Sequence, residues 1–425
     1  MTRKIAYIVL DGAPDGMNAP RRVLSEAYKP NIDLIASQSY CGLVYTVGRG
    51  VAPESDAATM SLLGYDPHKY YTGRGPLEAL GAGLMLKNEY EVALRSNFAT
   101  INPRTLEIID RRVGRNLSSK EAHELAGSID GLELDEGAGY AKFKATIGHR
   151  GVLIVGHKKN KLSAMITNTD PAYGRKGLIS IALEKFDAKL KLAEPMYDSI
   201  EAKLTAELVN EFTMKAIEIL DSHPVNEARV SKGLLPANAV LSRDAGDHVP
   251  PMPPIKGLTG LKWGAIVEMP VERGIARAAG IGIIPVEVEG KNKRDLLKEE
   301  AELLINGLEK FDAVYVHLKG PDEPGHDGDF DAKKKAIELI DECFFARVRD
   351  YLLNENMSVI ITSDHSTPWY LKAHSDDPVP LSILVPGKTG DNLVRFDEAE
   401  CSKGSIGIIE GGYKIIPTAL ELLAR

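Results

Sequence analysis

The sequence has few cysteines and no long uninterrupted apolar run. Its three cysteines, Cys41, Cys343 and Cys401, are odd in number and widely spaced, which argues against a disulfide framework and predicts reduced thiols in a cytoplasmic protein. No apolar stretch approaches the roughly 18 residues that a membrane-spanning helix needs. Asp11 interrupts the apolar hexad near the N-terminus too early for a signal peptide.

Positive charge is in deficit as well. The chain carries 52 Lys and Arg against 60 Asp and Glu, a net charge of −8, which argues against nucleic acid or an anionic membrane as partner. The length of 425 residues allows more than one domain, and 44% hydrophobic residues suffice for a sizeable core. We therefore expect a cytoplasmic enzyme that acts on a small molecule. Composition leaves monomer and oligomer both open.

Three apolar runs are predicted to be buried strands, and each ends in acidic or imidazole residues. The runs and the residues that follow them are Ile5–Leu10 with Asp11, Val314–Leu318 with Asp322 and His326, and Val359–Thr362 with Asp364 and His365. In an open α/β sheet, ligands bind outside the carboxyl ends of the strands. These side chains are therefore expected to share one site, together with His374, which precedes a further predicted strand.

The residue types in this set indicate a metal centre. Mixed Asp and His donors suit Mn²⁺ or Zn²⁺, with Mg²⁺ or Co²⁺ as alternatives, and two metals about 3.5–4 Å apart are common in phosphoryl chemistry. Taken alone, an Asp and a His four residues apart are more often exposed polar residues than metal ligands. His374 by itself is explained equally well as an ordinary loop histidine. The convergence of four segments favours the metal site.

Ser55 lies in ESDAATMSLLGYDP, where a helix is predicted to begin with Ser55 or Asp56 near the N-cap. Local sequence alone favours a simple cap. A helix N-terminus also suits a phosphate or a phosphoserine, and beside two cations a serine hydroxyl becomes a nucleophile. The sequence contains no G-x-S-x-G elbow, P-loop lysine motif or dinucleotide fingerprint. The alternative hypotheses of a different nucleophile or a nucleotide-binding protein are therefore less favoured.

Strand and helix patterns alternate in residues 1–87 and 259–425, which predicts an α/β fold with a mostly parallel sheet and helices on both faces. Residues 88–258 contain shorter apolar or alternating runs, typical of an antiparallel α+β module. Asp11 belongs to the first segment and the other candidate ligands to the last. The two segments must therefore form one core domain, into which residues 88–258 are inserted as a separate lobe.

The inserted lobe concentrates arginines, whose planar guanidinium groups match phosphate and carboxylate. The candidate substrate-binding residues are Arg111, Arg112, Arg115, His149, Arg150 and Arg243. For any single cluster, a solvated charge run is the alternative. Lys319 is different, because it lies between a predicted strand and Asp322 and should point into the crevice.

These motifs together resemble the archaeal-type cofactor-independent phosphoglycerate mutases of the alkaline phosphatase superfamily. The matching stretches, in the family's order, are LDGAPD, ESDAATMSLLGYDP, YYTGRGPLEALGAG, IIDRRVGR, ATIGHRG, NTDPAYGRKG, VHLKGPDEPGHDGD, ITSDHSTP and HSDDPVPLSI. The resemblance implies an alkaline-phosphatase-like core with a binuclear metal site, and a cap domain that holds the glycerate. One metal would be held by Asp322, His326 and His374, and the other by Asp11, Ser55, Asp364 and His365.

The resemblance also implies the reaction. Ser55 would be transiently phosphorylated while 3-phosphoglycerate and 2-phosphoglycerate interconvert, in glycolysis and gluconeogenesis, without bisphosphoglycerate. Lys319 would neutralise developing charge, and Asp110 and Asp170 are candidates for the acid/base group on the cap side. The cap would exclude water, because water would otherwise hydrolyse the phosphoserine.

Three positions depart from the family pattern. Glu54 and Asp244 stand where glycine is expected, and NTDPAY lacks the histidine expected after its proline. These departures lie in substrate-side loops, so a metal-dependent phosphatase and a homoserine-kinase-like phosphotransferase on the same core stay open as alternatives. A non-catalytic metal-binding protein, whose ligands only hold the two core segments together, is the distant alternative.

Overall fold

The computed structural model describes residues 4–183, 185–354 and 356–424. The chain divides into two compact units, a core unit of Met1–Tyr71 with Met252–Arg425 and an inserted unit of Thr72–Pro251. The strands are β1 (Lys4–Leu10), β2 (Tyr40–Val44), β3 (Glu91–Ile101), β4 (Ile108–Asp110), β5 (Glu133–Leu134), β6 (Gly139–Ala145), β7 (Arg150–His157), β8 (Tyr173–Lys176), β9 (Ile179–Ala182), β10 (Ala239–Gly246), β11 (Trp263–Ile266), β12 (Gly282–Ile283), β13 (Ala313–Leu318), β14 (Met357–Thr362), β15 (Val379–Leu384) and β16 (Gly407–Ile409).

The α-helices are α1 (Val23–Glu26), α2 (Pro30–Ser37), α3 (Ser55–Leu62), α4 (Pro67–Tyr70), α5 (Arg74–Gly81), α6 (Ser119–Ile129), α7 (Ile200–Asp221), α8 (Pro224–Ser231), α9 (Ile255–Thr259), α10 (Pro270–Ala278), α11 (Lys293–Lys310), α12 (Asp322–Asp327), α13 (Phe330–Ile340), α14 (Ala346–Leu352), α15 (Glu398–Cys401) and α16 (Ile415–Ala424). Short 3₁₀ turns occur at Val113–Arg115, Asp135–Gly137 and Gly412–Lys414, and the π-helical stretch Asp341–Phe345 joins α13 to α14. Among the described helices, none combines the length and the hydropathy that crossing a membrane requires.

The core unit contains an eight-stranded sheet in the order β12–β11–β13–β1–β14–β15–β2–β16. At its centre, β1 pairs in parallel with β13 and with β14. β15 runs antiparallel to both of its neighbours, β14 and β2. The prediction of a mostly parallel α/β sheet with helices on both faces is confirmed. Because β1, β13 and β14 are parallel, the loops that follow them begin at the same edge of the sheet.

Alternation along the central strands explains the packing of the core unit. Ala6, Ile8 and Leu10 of β1 join one buried apolar cluster with residues of the surrounding helices. α11 begins directly after the capping residue Asn292 and contributes Leu304 to the same cluster. Burial of such side chains, at about 25 cal/mol per Å² of apolar surface, is the main force that holds these helices on the sheet.

The inserted unit has a mainly antiparallel sheet in the order β10–β3–β7–β6–β5, with β4 paired to β3. The helix α7 begins after the capping residue Ser199 and buries one stripe, which includes Leu208 and Phe212. The Phe212 ring stacks on Phe143 of β6 with centroids 5.9 Å apart, so α7 packs directly on this sheet. The buried stripe of α7 therefore covers one face of the antiparallel sheet.

The boundaries of the units fall earlier in the chain than the predicted boundaries at 87/88 and 258/259. α5 accounts for the first difference, because a Cβ at Gly75 would lie 2.1 Å from the Ala93 carbonyl oxygen of β3. The glycine therefore lets α5 lie closely on the sheet of the inserted unit. The second difference involves Ile255, which is buried in the core unit and whose amide donates to the Ala279 carbonyl (2.9 Å).

Candidate active site

The loops that follow the three central strands of the core unit are joined by hydrogen bonds that backbone amides donate. The Asp11 amide donates to the Leu318 carbonyl at 3.0 Å, and the Gly12 amide donates to Asp364 Oδ1 at 3.0 Å. Gly12 has a positive φ of 60°, and a Cβ there would lie 2.8 Å from Asp322 Oδ1. The glycine of LDGAPD therefore leaves room for the carboxylates to converge.

Asp322, His326 and His374 form the first ligand group. Asp322 and His326 lie one turn apart on α12, which begins directly after the loop that follows β13. His326 Nε2 is 3.5 Å from Asp322 Oδ1 and 3.1 Å from His374 Nε2, and His374 Nε2 is 3.5 Å from Asp322 Oδ1. The structure thus brings these three predicted ligands within the space that one cation would occupy.

Asp11, Asp364, His365 and Ser55 form the second ligand group. His365 Nε2 lies 3.5 Å from Asp11 Oδ1 and 3.1 Å from Asp364 Oδ2. The hydroxyl oxygen of Ser55 lies 3.2 Å from His365 Nε2. The predicted nucleophile and its three predicted companions therefore surround one point.

His365 lies between the two ligand groups. Its ring stacks on that of His374 with centroids 3.7 Å apart. Ligand atoms of Asp322, His365 and His374 lie within 4.8 Å of one another, as do those of Asp11, Asp364 and His365. The two groups are therefore adjacent, which is the arrangement that a two-metal centre requires.

The three imidazoles are each held by an acceptor at Nδ1. His374 Nδ1 lies 2.8 Å from the Pro53 carbonyl oxygen, and His326 Nδ1 lies 3.1 Å from the Lys372 carbonyl oxygen. His365 Nδ1 lies 3.0 Å from Thr367 Oγ1. In a neutral imidazole, an acceptor at Nδ1 places the lone pair on Nε2, and Nε2 of all three rings faces the ligand groups.

The carboxylates fit the same interpretation. Asp11 Oδ1 and Asp364 Oδ2 are buried and receive no hydrogen bond from the described part of the chain. Because a buried carboxylate oxygen without a partner is unfavourable, a bound cation would stabilise both. Burial, with some addition from Asp364 and against the attraction of Lys319, raises the pKa of Asp11 to about 6. Burial also acts on Asp364, but the charges of His365 and His317 outweigh it and hold its pKa well below the usual range.

Ser55 is the first residue of α3, and Glu54 occupies the N-cap position without a capping side-chain hydrogen bond. This agrees with the expectation that Ser55 or Asp56 lies near the N-cap, and the backbone turn at Glu54 (φ −80°, ψ 152°) identifies the cap residue itself. At this first position the hydroxyl is free to face His365. The peptide N–H groups of the first turn of α3 add a positive potential.

The Lys319 side chain points toward the second ligand group, in the direction that the sequence predicted. It also has partners that sequence reasoning missed. Its Nζ lies 3.1 Å from Asp11 Oδ2 and forms a close ion pair with Glu272, a fully buried residue of α10. Glu272 also lies 3.3 Å from Nδ1 of His317, whose Nε2 is 3.3 Å from Asp364 Oδ2. Strand alternation places His317 on the face of Lys319 and could have revealed it; no sequence signal marks Glu272.

In the inserted unit, Asp170 holds two of the predicted arginines. Its carboxylate accepts from Arg111 Nε at 3.0 Å and Nη2 at 2.6 Å, and from Arg243 Nη1 at 3.0 Å. The Tyr173 ring lies beside both guanidinium groups, with 4.3 Å from Arg243 Cζ to its centroid. Asp170 is fully buried, and its charge-assisted hydrogen bonds hold the Arg111 and Arg243 guanidinium groups close together.

Two further arginines, Arg74 and Arg95, extend this cluster and were missed. Arg74 Nε lies 3.0 Å from Glu78 Oε1, and Arg95 Nε lies 3.6 Å from the same oxygen. Burial, and then the charge of Arg74, lowers the pKa of Arg95 to about 9. A charged residue inside the apolar strand β3 was the available signal for Arg95.

The remaining predicted residues of the inserted unit lie around the same charges. Burial, together with Arg150 and Arg112, lowers the pKa of His149 to about 4, so its ring is neutral at pH 7. Burial and several arginines, Arg112 among them, lower the pKa of Arg150. Arg112 and Arg115 are exposed, and Asp110 Oδ1 accepts from the Arg112 amide at 2.6 Å.

Asp244, one of the departures from the family pattern, has a positive φ of 60° that glycine would adopt without strain. Its carboxylate oxygen Oδ2 lies 3.5 Å from Arg243 Nε. The charges of Arg243, Arg95 and Arg74 overcome the effect of burial and lower its pKa. Asp244 therefore places a fixed negative charge within the arginine cluster.

Known proteins are similar to this chain over nearly its whole length. A family profile described as 2,3-bisphosphoglycerate-independent phosphoglycerate mutase matches residues 36–226. The chain is 55% identical over 424 residues to the enzyme of that name from Aeropyrum pernix, covering 99% of this chain and 100% of that one. It is 36% identical over 423 residues to 2,3-bisphosphoglycerate-independent phosphoglycerate mutase 1 of Methanocaldococcus jannaschii, covering 99% and 98%. Among solved structures, it is similar to the cofactor-independent phosphoglycerate mutase of Thermoplasma acidophilum (TM-score 0.61, 29% identity, 99% and 100% covered).

Proposed function

The chain belongs to the 2,3-bisphosphoglycerate-independent phosphoglycerate mutases, and from that premise we propose that it interconverts 3-phosphoglycerate and 2-phosphoglycerate through a phosphoserine at Ser55. The observation that carries the proposal is the position of the Ser55 hydroxyl, 3.2 Å from His365 Nε2 and at the start of α3. A nucleophile placed there would attack a phosphoryl group whose charge the two cations, when bound, and the peptide N–H groups of the first turn of α3 would stabilise.

We assign one cation to Asp322, His326 and His374, and the other to Asp11, Ser55, Asp364 and His365. The mixed nitrogen and oxygen donors favour Mn²⁺ or Zn²⁺, with Mg²⁺ or Co²⁺ as alternatives. When bound, the two cations would neutralise phosphoryl charge and lower the pKa of the serine hydroxyl. Support comes from the acceptors at all three Nδ1 atoms and from the buried carboxylate oxygens that lack a donor within the described residues.

The chain's own residues supply the rest of the transfer. The Ser55 oxygen forms a bond to phosphorus while the bond to the glycerate oxygen breaks, and Lys319 stabilises the charge that develops. Glu272 keeps the Lys319 ammonium beside Asp11. The return step is the same chemistry in reverse, with the phosphoryl group passing from Ser55 to the other hydroxyl of the glycerate.

We assign recognition of the glycerate carboxylate to the arginine cluster of the inserted unit. Asp170 was also a candidate acid/base group, but its two oxygens are engaged by Arg111 and Arg243. We therefore propose that Asp170 positions these two guanidinium groups. Asp110, whose Oδ1 accepts a hydrogen bond from the Arg112 amide, stays the candidate for proton transfer to and from the glycerate hydroxyls.

The proposal concerns a cytoplasmic enzyme with a small phosphorylated substrate and no nucleic-acid or membrane partner. The net charge of −8 supports it, and so do the three free cysteines, all of them buried. Exclusion of water from the phosphoserine separates a mutase from a phosphatase, which stays the main alternative activity.

A coupled assay for 2-phosphoglycerate tests the proposal. The protein is supplied with 3-phosphoglycerate and Mn²⁺ but no bisphosphoglycerate, and the expected product forms without ATP and is lost when a chelator is added. Release of inorganic phosphate in its place would indicate a phosphatase, and a strict need for ATP would indicate a kinase.

Ser55→Ala distinguishes an enzyme from a metal-binding protein without activity. The variant should fold and still bind metal but lose the mutase activity, because it lacks the nucleophile. Ser402→Ala, at an exposed serine of the core unit, is the matched control and should keep full activity. Equal activity of the two variants would refute the role of Ser55.

A further inference from the structure

Thr367 lies two residues after His365 and is fully buried. Its hydroxyl oxygen is 2.7 Å from Asp322 Oδ1 and 3.0 Å from His365 Nδ1. Asp322 belongs to the first ligand group and His365 to the second. One side chain therefore contacts both groups: it touches the Asp322 oxygen that also faces the Nε2 atoms of His326 and His374, and it touches the His365 nitrogen opposite Nε2.

The protons of this contact are fixed by the chemistry of the three groups. A hydroxyl carries one proton and two lone pairs, and an ionised carboxylate only accepts. Thr367 must therefore donate its proton to Asp322 and accept one from His365 Nδ1. In the neutral imidazole that binds a cation, this requirement keeps the proton of His365 on Nδ1 and the lone pair on Nε2, which lies 3.2 Å from the Ser55 hydroxyl oxygen.

The surrounding backbone aims the Thr367 hydroxyl at these two partners. The Thr367 amide donates to the Pro14 carbonyl at 3.1 Å, and the buried Lys333 ammonium donates to the Thr367 carbonyl at 2.7 Å. A Cβ at Gly12 would lie 2.6 Å from Thr367 Oγ1 and would push the hydroxyl aside. The position of the bridge is therefore built into the fold from several directions.

We propose that Thr367 is a positioning residue that couples the two metal-binding groups, so that a cation bound by Asp322, His326 and His374 prepares His365 for the second cation. The inference rests on the two-cation site of the proposed function. Ordering of Asp322 fixes the Thr367 hydroxyl, and the fixed hydroxyl holds the His365 ring in the orientation and tautomer that a ligand needs. The consequence is cooperative loading of the two cations.

Thr362 supplies a matched control at the end of β14. It is also fully buried, but its hydroxyl donates to the Pro380 carbonyl at 2.9 Å, whereas the Thr367 hydroxyl contacts two predicted metal ligands. Replacement of either threonine by valine removes one buried hydroxyl and keeps the shape. Only the change at Thr367 should alter metal binding.

The experiment is calorimetric titration of the metal-free full chain with Mn²⁺, alongside thermal unfolding of each metal-free variant. Wild type and T362V should bind two cations cooperatively. In T367V, the second cation should bind about 10- to 100-fold more weakly, as is typical when a group that orients a ligand is lost. T367S, which retains the hydroxyl, should restore the affinity, and mutase activity of T367V should recover at high Mn²⁺.

The outcomes separate the two proposals. Two cations bound by wild type and bound equally well by T367V would overturn the coupling role and leave the metal centre intact, and equal weakening in T362V would also overturn it. If wild type binds no cation, the proposed metal centre fails and the coupling role fails with it. Thr367→Ala removes the hydroxyl without a branched replacement and serves the same comparison if T367V does not fold.

Discussion

The ammonium nitrogen of Lys319 lies 3.1 Å from Asp11 Oδ2, across the ends of two neighbouring parallel strands. Glu272 pairs with the same ammonium from α10. Burial by itself would lower the pKa of Lys319, but the charges of Asp11 and Glu272 outweigh it and raise the pKa above its usual range. Lys319 is therefore a fixed positive charge at any pH at which the enzyme works.

Replacement of Lys319 by methionine should lower kcat by about 10²- to 10³-fold, the usual effect of losing one group that stabilises transition-state charge. The reason is that the negative charge on the phosphoryl oxygens grows during transfer while the Ser55 nucleophile is unchanged. Steady-state kinetics measure the effect, with the exposed Lys335 replaced by methionine as control. A rise in KM at unchanged kcat would show that Lys319 only binds the substrate.

Asp170→Asn should raise KM by about tenfold or more and affect kcat less. The variant loses at least one charge-assisted hydrogen bond, so Arg111 and Arg243 are no longer held in place to bind the substrate. Asp110→Asn is the comparison, since an acid/base residue should lower kcat and change its pH profile. The kinetic parameters of both variants are measured between pH 6 and 9. If Asp170→Asn changed the pH profile of kcat at unchanged KM, the acid/base assignment would pass to Asp170.

Much of this centre could be predicted because it depends on topology. Parallel strands recognised from apolar runs end at one edge of the sheet, and in the structure Asp11, Asp322 and Asp364, which follow three such strands, all lie within 4.0 Å of the His365 ring nitrogens. The partners behind them could not be predicted in the same way. Glu272 comes from a helix whose position on the sheet is set by packing, and Thr367 acts through the direction of a single hydroxyl.

In the inserted unit, too, the sequence does not predict which elements pack against one another. The sequence indicated an arginine-rich lobe, but not that Arg74 of α5 belongs to it. The assignment of α5 depends on the close approach of Gly75 to Ala93, and that approach is visible only when the partner strand is known. Short-range patterns predict which elements form, whereas the partner of each element depends on long-range packing.

Lys333 should be essential for stability. Its ammonium is fully buried and donates to Asp15 Oδ1 at 2.7 Å, to the Thr367 carbonyl at 2.7 Å and to the Pro14 carbonyl at 3.1 Å. Lys333→Met leaves the Asp15 carboxylate buried without its cation and should cost about 3–5 kcal/mol of unfolding free energy. Denaturant titration measures the loss.

The double variant Lys333→Met with Asp15→Asn is the control for that prediction. Removing the unpaired charge should recover part of the lost stability, since the largest penalty belongs to the isolated carboxylate. If the double variant is no more stable than the single one, the two side chains contribute independently, and the ion pair is not what holds the loops after β1 and β14 together.

Glu300 provides a pH dependence of stability that is separate from the active site. Its two carboxyl oxygens are buried without a hydrogen-bond partner among the described residues. Burial, and then repulsion from Glu268, raises its pKa to about 8, whereas an unfolded glutamate titrates near about 4.3. Between those values the folded chain keeps a proton that the unfolded chain has lost, so this contribution to stability is complete at low pH and is lost as the pH rises toward 8.

Glu300→Gln keeps the neutral state at every pH, and its thermal stability relative to wild type should therefore rise between pH 5 and pH 9. The expected change in the difference of unfolding free energy is on the order of 1–3 kcal/mol. Each unit of pKa difference between the folded and unfolded states corresponds to about 1.4 kcal/mol, and structural relaxation around the ionised carboxylate reduces the total. Glu302→Gln, at an exposed position of the same helix, should show no such trend. A constant difference between Glu300→Gln and wild type across this range would mean that Glu300 is ionised in the folded protein at pH 5, and that its burial is compensated by a partner.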